Sequence, residues 1–482
     1  MSMGHLAADL VPSQAPTRRR YLVLAMVCAL SMLTYLDRLS IGSATGQIVD
    51  ALHLKSKSDL KWVFLAFSLG YGLFEIPSGW LGDVFGPRTT LIRIVLWWSV
   101  FVTLTGMVGM TLGGCVLGGV GLLALVQFLF GMGEAGAYPN IARALHNWFP
   151  LRQRGTAQGA LWMSGRLMGG LTPLVWMLLV WVFHGYWRAA FWCFGGLGVC
   201  WTVLFALWFK NRPEEKDSVN EAELALIRSG GSPAPPAHGN VPWRLIFASR
   251  NLWLLCVMYA CQSYGWYFNV FYLPGYMEDR YQVLSPGDVC NHGIRWESVC
   301  GALYKGGPLW LGALGCLLGG ILTDAFIRRT GNRKLGRRIF GIIGHSLSTV
   351  CFLLCPVAPN AFWFFVVISL SSFTSDLTMG SSWASCQDIG RRYTAIVAGT
   401  MNMIGNVGGA AAGLVTGFII EISQDAYASR LGMMRQQLND AQTKAGSIMG
   451  YKISFLIFAA VYLVAVFCWT RLDATQPVAP DA

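Results

Sequence analysis

The chain has 482 residues, of which 54% are hydrophobic and only 12% are charged. Soluble globular domains contain about 25% charged residues, so this composition excludes an ordinary soluble protein. The net charge of +12 is spread over short loops between apolar segments, so we expect no nucleic-acid partner. The apolar runs are long and lack the alternation of β-strands, which predicts an all-α membrane protein.

Twelve apolar segments are each long enough to cross a bilayer as a helix. The first six are predicted at 21–48, 60–82, 89–112, 117–146, 153–181 and 187–209. The remaining six are predicted at 252–279, 302–327, 338–356, 360–388, 394–421 and 449–471. Three arginines precede the first segment, as in a signal peptide, but the apolar run is too long for one, so we expect a retained first helix.

A polar segment, 210–251, separates the first six spans, 21–209, from the last six, 252–471. It begins with a charged stretch that is predicted to be partly helical and continues as a Gly/Pro/Ser-rich linker. Because it is too short for a hydrophobic core, we interpret it as a tether between two halves rather than a regulatory domain. Polar tails, 1–20 and 472–482, flank the halves, and a polar loop between spans 11 and 12 has no assigned role.

The same motif follows the second span of each half. One copy, GWLGDVFGPR, runs from Gly79 to Arg88, and the other, GILTDAFIRRTGNR, begins at Gly320. Asp83 and Asp324 therefore occupy the same position in the two copies. Corresponding motifs at corresponding spans indicate a duplicated six-helix unit.

Lys and Arg residues are distributed unevenly between the two sides of the predicted membrane. The side that carries both tails and the central segment holds roughly twice as many as the other side. Cytoplasmic loops of membrane proteins carry such an excess. We therefore expect a multi-pass protein embedded in the lipid bilayer of a cell membrane, with both termini cytoplasmic.

Thirteen cysteines are present, and most lie in apolar runs, where a free cysteine behaves as a small hydrophobic residue. The absence of C-x-x-C pairs and of Cys/His spacings typical of zinc sites predicts no metal site, and we expect no cofactor. Cys290 and Cys300 differ, because both lie in one polar loop between spans 7 and 8. They either form a disulfide there or remain free.

Few ionisable residues fall inside the predicted spans, and these are Asp37, Arg38, Glu75, Arg93, Glu134, Arg166 and Asp376. A charge at the bilayer centre costs roughly 2.5–3.5 kcal/mol on insertion scales, so each must face a cavity or a partner. Asp37 lies about 25 Å along the first helix from Arg20, which is within the apolar thickness. The alternative is that the helix ends there, but the sequence from Ile41 to Val49 continues without charge.

Several motifs, together with the repeated loop, make the chain resemble the anion:cation symporter family of the major facilitator superfamily. They are YLDRLSIG in span 1, GMGEAGAYPNIARALHNWFPLRQRG across spans 4 and 5, YFNVFYLPGYM in span 7, and WASCQDI with GTMNMIGNVGG across spans 10 and 11. The family includes bacterial hexonate and hexuronate transporters and vertebrate sialic acid and vesicular glutamate carriers. The resemblance covers nearly the whole chain and implies twelve helices in two six-helix halves, a monomer, and a bacterial inner membrane.

The resemblance implies that Asp37 and Glu134 carry the coupled proton. Burial favours the protonated form of a carboxyl group, as a proton carrier requires. The alternative for Glu134 is a permanently protonated side chain that hydrogen-bonds a neighbouring helix. Asp83, Arg88 and Asp324 match the family's cytoplasmic gate, where carboxylates stabilise helix N-termini.

The chain departs from the family in one exchange. Relatives commonly have an arginine seven residues before the glutamate and a glutamine in span 5, whereas here these positions are Gln127 and Arg166. We therefore expect Arg38 and Arg166 to bind a substrate carboxylate. Alternatively, Arg166 pairs with Glu134 and stabilises helix packing. Asp376 is either a second proton site or a polar residue bonded to Ser372.

Other polar and aromatic residues in or near the family motifs complete a predicted site for a polyhydroxylated acid. They are Tyr35, Tyr71, Gln127, Tyr138, Trp383, Asn402 and Asn406. Asn402 and Asn406 are four residues apart, so both amides can meet one ligand. Glu75 and Arg93 flank the Gly79–Arg88 loop and are interpreted as gating or interfacial residues.

The sequence thus predicts a secondary transporter that moves a small organic anion, such as a hexonate or hexuronate, together with protons by alternating access. Sodium is the other candidate coupling ion. An exchanger of organophosphates is the rival within transporters, but span 7 lacks the arginine those carriers place there. A solute sensor is the rival of another class, although the short tails offer no signalling domain. We expect no enzyme, because no Ser/His/Asp or metal constellation is visible.

Overall fold

The computed structural model describes residues 15–54, 60–112, 115–116, 118–229, 241–283 and 296–479. The helices of the first half are α1 Arg20–Ser43, α2 Thr45–Ala51, α3 Lys61–Phe85, α4 Pro87–Met107, α5 Val120–Glu134, α6 Ala137–Trp148, α7 Arg154–Val182 and α8 Arg188–Trp208. The central segment contains α9 Glu221–Arg228 and α10 Trp243–Ala248. The helices of the second half are α11 Arg250–Phe271, α12 Leu273–Tyr281, α13 Trp296–Thr330, α14 Arg333–Leu354, α15 Ala361–Asp376, α16 Met379–Gly390, α17 Thr394–Arg430 and α18 Asp440–Arg471.

The only strands in the described part of the chain are β1 Thr111–Leu112 and β2 Cys115–Val116, which pair antiparallel. Single turns of 3₁₀-helix connect several helices, at Leu151–Gln153, Pro213–Glu215, Cys355–Val357, Arg391–Tyr393 and Arg435–Gln437. Apart from this four-residue ladder, the regular secondary structure of the described residues is therefore helical, as the apolar runs predict.

These helices form twelve crossings, six in each half. Nine described stretches are long and apolar enough to cross a membrane by length and composition, and one of them, Ala361–Arg430, holds two consecutive crossings. The helix α3 and the broken pair α11–α12 supply the other two crossings. The outer surface is apolar, with Leu207 77% exposed and Trp181 74% exposed, as expected of side chains that face lipid.

Four crossings are each broken into two helices. The fourth crossing of the chain, which consists of α5 and α6, shows the physical reason for such a break. Between α5 and α6 the chain passes through Gly136, whose φ of 85° lies in the left-handed region. Glycine occupies this region without steric penalty, and a side chain here would also collide with Ser78 on α3. The break ends α5 at Glu134, so this carboxyl group lies in the middle of the crossing.

Small residues allow neighbouring helices to approach closely. A Cβ added at Gly70 on α3 would collide with the carbonyl of Phe128 on α5, and one at Gly131 on α5 would collide with the carbonyl of Phe67. Between the halves, α7 packs against α13 and α3 packs against α17. Membrane helices associate through such close packing, because lipid offers no hydrophobic driving force for it.

Both termini lie at the same end of the bundle, which we call the termini end. The N-terminal segment is fixed to α9, where Glu223 accepts a hydrogen bond from the backbone N–H of Arg19 at 2.9 Å. At the other terminus, the backbone N–H of Asp473 donates to Asn251 at 2.9 Å, and the Asp473 carboxylate pairs with Lys334. The short helix α9 occupies the stretch that the sequence predicts to be partly helical.

The polar loop between spans 11 and 12 is partly helical, because the helices on both sides continue beyond the predicted spans. The helix α17 continues to Arg430 and α18 begins at Asp440, well before the predicted start of span 12 at residue 449. Asn439 accepts from the backbone N–H of Gln442, whose side chain bonds back to the Asn439 N–H. This capping box starts a helix in polar sequence, which an apolar pattern does not detect.

Candidate functional site

A cavity of about 310 Å³ lies between the two halves. Seven of the residues predicted for the site line it, and these are Tyr35, Arg38, Tyr71, Tyr138, Arg166, Asn402 and Asn406. The cavity is also lined by residues that the sequence did not single out, chiefly Trp162, Tyr259, Gln262, Trp266, Tyr267 and Asn269. Most are aromatic or amide side chains in apolar helices, where no motif distinguishes a lining position from a packing position.

Arg38 on α1 is fixed by a carboxylate and by aromatic rings. Its Nη2 lies 3.0 Å from Oε1 of Glu134, which is 1% exposed. Its guanidinium also lies over the ring of Tyr71, 4.4 Å from the centroid, and over Phe67 at 5.4 Å. Glu134 therefore neutralises the cation in the cavity, and its second oxygen, Oε2, has no hydrogen-bond partner among the described residues.

Arg166 on α7 pairs with Asp376 on α15, not with Glu134. Its Nε donates to Oδ2 at 3.0 Å and its Nη2 donates to Oδ1 at 3.1 Å, which makes a two-pronged pair across the two halves. Its Nη1 donates to the Tyr35 hydroxyl at 3.0 Å, and its guanidinium lies 4.1 Å from the centroid of Trp266. The proposed bond between Asp376 and Ser372 is not formed; Ser372 instead accepts from Asn269.

Asp37 lies beside Arg38 in sequence but turns away from the cavity lining. It is 3% exposed, and neither carboxylate oxygen has a hydrogen-bond partner within the described part of the chain. Since helix α1 continues to Ser43, the alternative that the first crossing ends at Asp37 is wrong. A buried carboxyl group without a partner is stable only when it is protonated.

Glu75 on α3 joins the two halves at the cavity wall. Its Oε1 accepts from the amides of Asn402 and Asn406 on α17, the latter at 3.2 Å. The Asn402 amide also donates to the Tyr71 hydroxyl at 3.2 Å. The two asparagines were predicted to meet a ligand, but here their amide nitrogens are directed to Glu75, which the sequence had placed at the gate.

Two residues predicted for the site do not line the cavity. Gln127 is buried one helix away, where its amide donates to the hydroxyl of Thr105 at 3.0 Å. Trp383 is fully buried behind the lining, and its indole N–H donates to the hydroxyl of Tyr259 at 3.3 Å. Gln127 is seven residues from Glu134, yet Gln127 contacts Thr105 on α4 whereas Glu134 pairs with Arg38 on α1.

The predicted gate aspartates each bridge the two halves at the termini end. Asp83 on α3 accepts from the backbone N–H groups of Ala395 and Ile396, at 3.1 and 2.8 Å. Asp324 on α13 accepts from the N–H groups of Gly155 and Thr156, at 3.2 and 2.6 Å. Each carboxylate thus satisfies unpaired N–H groups in the first turn of a helix of the other half.

Arg88 does not take part in these contacts, since its guanidinium donates to the carbonyl of Ala206 at 2.6 Å within the first half. Other charged residues at the termini end do bridge the halves. Asp388 pairs with Arg154 of the first half at 3.3 Å and, within its own half, with Arg337 at 3.0 Å. Arg143 donates to the carbonyl of Arg391 at 2.6 Å.

From the sequence, these arginines were used only to predict the orientation in the membrane. An arginine near the end of a span looks the same in sequence whether it orients the helix or contacts the other half. The predicted pairing of Cys290 with Cys300 stays a prediction, since Cys290 lies outside the described residues. Within the described ranges, no group of three or more His, Cys, Asp or Glu side chains could hold a metal ion.

Residues 27–413 match the sequence profile of the Major Facilitator Superfamily. The probable sulfoacetate transporter SauU of Cupriavidus necator is 33% identical over 408 residues, which cover 84% of this chain and 88% of that protein. The probable galactarate/D-glucarate transporter GudP of Escherichia coli K12 is 27% identical and covers 84% of this chain and 88% of its own length. The D-galactonate transporter of Escherichia coli O6:H1 is 26% identical, with coverages of 85% and 91%.

Solved structures share the fold at low sequence identity. The proton:xylose symporter XylE has a TM-score of 0.66 and 12% identity, covering 95% of this chain and 96% of its own. A bacterial homologue of the iron transporter ferroportin in an outward-facing state has a TM-score of 0.63 and 13% identity, with coverages of 93% and 99%. The predicted resemblance to bacterial hexonate-type anion transporters is confirmed, and these relatives are transporters, not enzymes. The chain therefore belongs to the Major Facilitator Superfamily, with twelve transmembrane helices in two six-helix halves.

Proposed function

We propose that this protein is a secondary active transporter that imports a small organic anion, of the sugar-acid class, together with protons. The observation that carries the proposal is a cavity between the halves lined by two guanidinium groups, those of the half-buried Arg38 and the buried Arg166. Each is held against a carboxylate, and amide and aromatic groups surround them. Once the paired carboxylates are protonated, such a cavity attracts an anion with hydroxyl groups and excludes cations.

Transport by alternating access is supported by the contacts at the termini end. There Asp83 and Asp324 hold the first turns of α17 and α7 in the opposite half. These bonds close one end of the central cavity, and their release would open it by a rocking of the two halves. The excess of Lys and Arg on this side supports a cytoplasmic location for it, with the closed end facing the cytoplasm of a bacterial inner membrane.

Proton coupling is supported by the carboxyl groups next to Arg38. When Glu134 takes up a proton, its negative charge disappears and the guanidinium of Arg38 is left without a partner. An entering substrate carboxylate then replaces it as the counter-ion. Asp37, buried and without a hydrogen-bond partner among the described residues, is the second group in this proton path.

The substrate class rests on the cavity and on the relatives together. Sugar acids of the galactonate and glucarate type carry a carboxylate for an arginine and hydroxyls for Gln262, Asn269 and the tyrosines. Sulfoacetate is a second candidate, because the relative at 33% identity is a probable sulfoacetate transporter. An organophosphate exchanger has less support, since the described part of α11 and α12 places no arginine in the cavity.

The test is uptake of labelled D-galactonate, D-glucarate and sulfoacetate into proteoliposomes, with and without an inward proton gradient. We expect the gradient to drive accumulation of at least one of these acids. The variant Glu134→Gln should lose gradient-driven accumulation but keep exchange of labelled for unlabelled substrate, because exchange needs no net proton movement. The variant Glu421→Gln is the matched control, since Glu421 is an exposed acid on α17.

Two outcomes would contradict the proposal. Binding without accumulation or exchange would favour a solute sensor. Accumulation that follows a sodium gradient and ignores the proton gradient would assign the coupling to sodium instead.

A further inference from the structure

Arg166 and Asp376 form a buried, doubly hydrogen-bonded ion pair that joins the two halves at the cavity. Both oxygens of the carboxylate are engaged, at 3.0 and 3.1 Å, and the side chains are 4% and 1% exposed. The two residues belong to different halves, on α7 and α15. Arg166 also lines the central cavity, so an anion in the cavity contacts a guanidinium that already has a counter-ion.

The second arginine of the cavity has the same arrangement. Arg38 lies 3.0 Å from Glu134, and that carboxylate is likewise buried. The cavity therefore contains two cations, and one protein carboxylate neutralises each of them. An anion that approaches either arginine brings a second negative charge to a buried pair, which is unfavourable unless the first carboxylate is protonated.

On this basis, which rests on the proposed function, we propose that Asp376 is a second proton-exchange group and that the substrate binds as a dianion. One acidic group of the substrate pairs with Arg38 while Glu134 takes a proton, and the other pairs with Arg166 while Asp376 takes a proton. The charge of the cavity is then the same before and after loading. No covalent bond changes, and both protons return to water when the substrate leaves.

The surroundings of Asp376 suit a group that gains and loses a proton in place. Besides Arg166, the titratable groups that face it are Tyr35 on α1, Cys316 on α13 and Tyr462 on α18. None of these three is an acid of carboxyl strength, so no second carboxylate competes for the proton there. On the α13 side, a side chain at Gly312 would collide with Oδ2, so the glycine gives the carboxylate its space.

The first experiment needs only the unmodified protein. Purified transporter is mixed with D-glucarate, which has two carboxylates, or with D-gluconate, which differs by having one, and proton uptake is measured with a pH-indicator dye. We expect D-glucarate to bind at least roughly fivefold more tightly, the lower end of a typical coupling effect, and to take up one more proton per molecule bound. Equal affinity and equal proton uptake for the two acids would overturn this inference and leave the proposed function intact.

The second experiment tests Asp376 itself in proteoliposomes. We expect Asp376→Asn to retain D-glucarate exchange while the proton-to-substrate ratio falls by one, as read from the pH gradient that balances a fixed D-glucarate gradient at zero membrane potential. Asp376→Glu should restore the ratio, and Asp425→Asn, which changes an exposed acid on α17, should leave it unchanged. An unchanged ratio in an exchange-competent Asp376→Asn would assign the pair a purely structural role. Failure of the unmodified protein to bind D-glucarate, D-gluconate and sulfoacetate would overturn the proposed function and this inference together.

Discussion

Asp83 and Asp324 occupy equivalent positions in the two halves, and each caps a helix of the opposite half. Asp83 bonds the first turn of α17 and Asp324 bonds the first turn of α7. The glycine four residues earlier has an equally symmetric role. A Cβ at Gly79 would strike the carbonyl of Ala395, and one at Gly320 would strike the carbonyl of Gly155. In each repeated Gly-x-x-x-Asp motif, the glycine thus allows its helix to approach the backbone of the other half closely, and the aspartate caps a helix of that half.

Removing either cap should favour opening of the termini end. A hydrogen bond to a charged group contributes about 1.5–3 kcal/mol, so Asp83→Asn or Asp324→Asn should shift the equilibrium between closed and open states by roughly that amount. Distances between spin labels at positions 152 and 329, measured by electron-electron double resonance in a cysteine-free background, should lengthen. The exposed Asp50→Asn is the control and should leave the distances unchanged. Unchanged distances in both cap variants would show that other contacts hold this end closed.

Adding one methyl group at the glycines should act in the same direction. Gly79→Ala or Gly320→Ala places a Cβ against backbone of the other half, which cannot move aside as a flexible side chain can. We expect the labelled distances to increase and transport to fall, while the amount of folded protein is maintained. Gly72→Ala on the same helix as Gly79 meets no atom within 4 Å and should behave as the unmodified protein. If the labelled distances are unchanged in Gly79→Ala, the termini end is still closed, which would mean that α3 can shift along α17 to make room for the methyl group.

The ring of Tyr71 should matter more for anion binding than its hydroxyl. The ring lies 4.4 Å from the Arg38 guanidinium, and such contacts contribute about 0.5–2 kcal/mol. Tyr71→Leu should therefore weaken binding of the transported acid severalfold, measured as Kd by scintillation proximity. Tyr71→Phe keeps the ring and loses the hydroxyl, which accepts a hydrogen bond from Asn402, so its Kd should change less. An equal loss in both variants would assign the effect to the hydroxyl.

The contact between α9 and the N-terminal segment should depend on pH through Glu223. Burial alone would raise the pKa of this carboxyl group, but hydrogen bonds from Thr17, from the backbone of Arg20 and Arg19, and from the Arg20 guanidinium hold the pKa below its usual range. Because the folded pKa is lower than the unfolded value of about 4.3, the contribution to stability is complete above that pH and is lost as the pH falls further.

We therefore expect hydrogen-exchange protection of α9, corrected for intrinsic exchange, to be constant from about pH 7 to pH 5 and to fall below about pH 4. Glu223→Gln should lower protection already at pH 7. The matched control is Glu221→Gln, which changes an exposed acid in the first turn of the same helix. Protection in Glu223→Gln equal to that of the unmodified protein would mean that packing of Leu224 and Ile227 holds α9 in place.

The sequence by itself determined the helices, the two halves and the residues that need a partner. Apolar runs must be helical in lipid because no water satisfies the backbone there, so their number and order follow from composition. Buried charges such as Arg38 and Arg166 are conspicuous for the same reason, since each is costly in hydrocarbon. The helical extensions around Asn439 give no apolar signal in the sequence, because they are polar and α18 begins there with a cap rather than with an apolar face.

Only the tertiary structure decided which charges pair. Arg166 contacts Asp376, which is 210 residues away, and Glu75 meets Asn402, which is 327 residues away. No local spacing encodes such contacts, because they depend on how two separately folded halves are placed against each other. Packing between helices of the first half put Gln127 behind the cavity wall and Trp162 in it. Helix periodicity gives the face on which a residue lies, but the neighbours of that face are set by packing between helices.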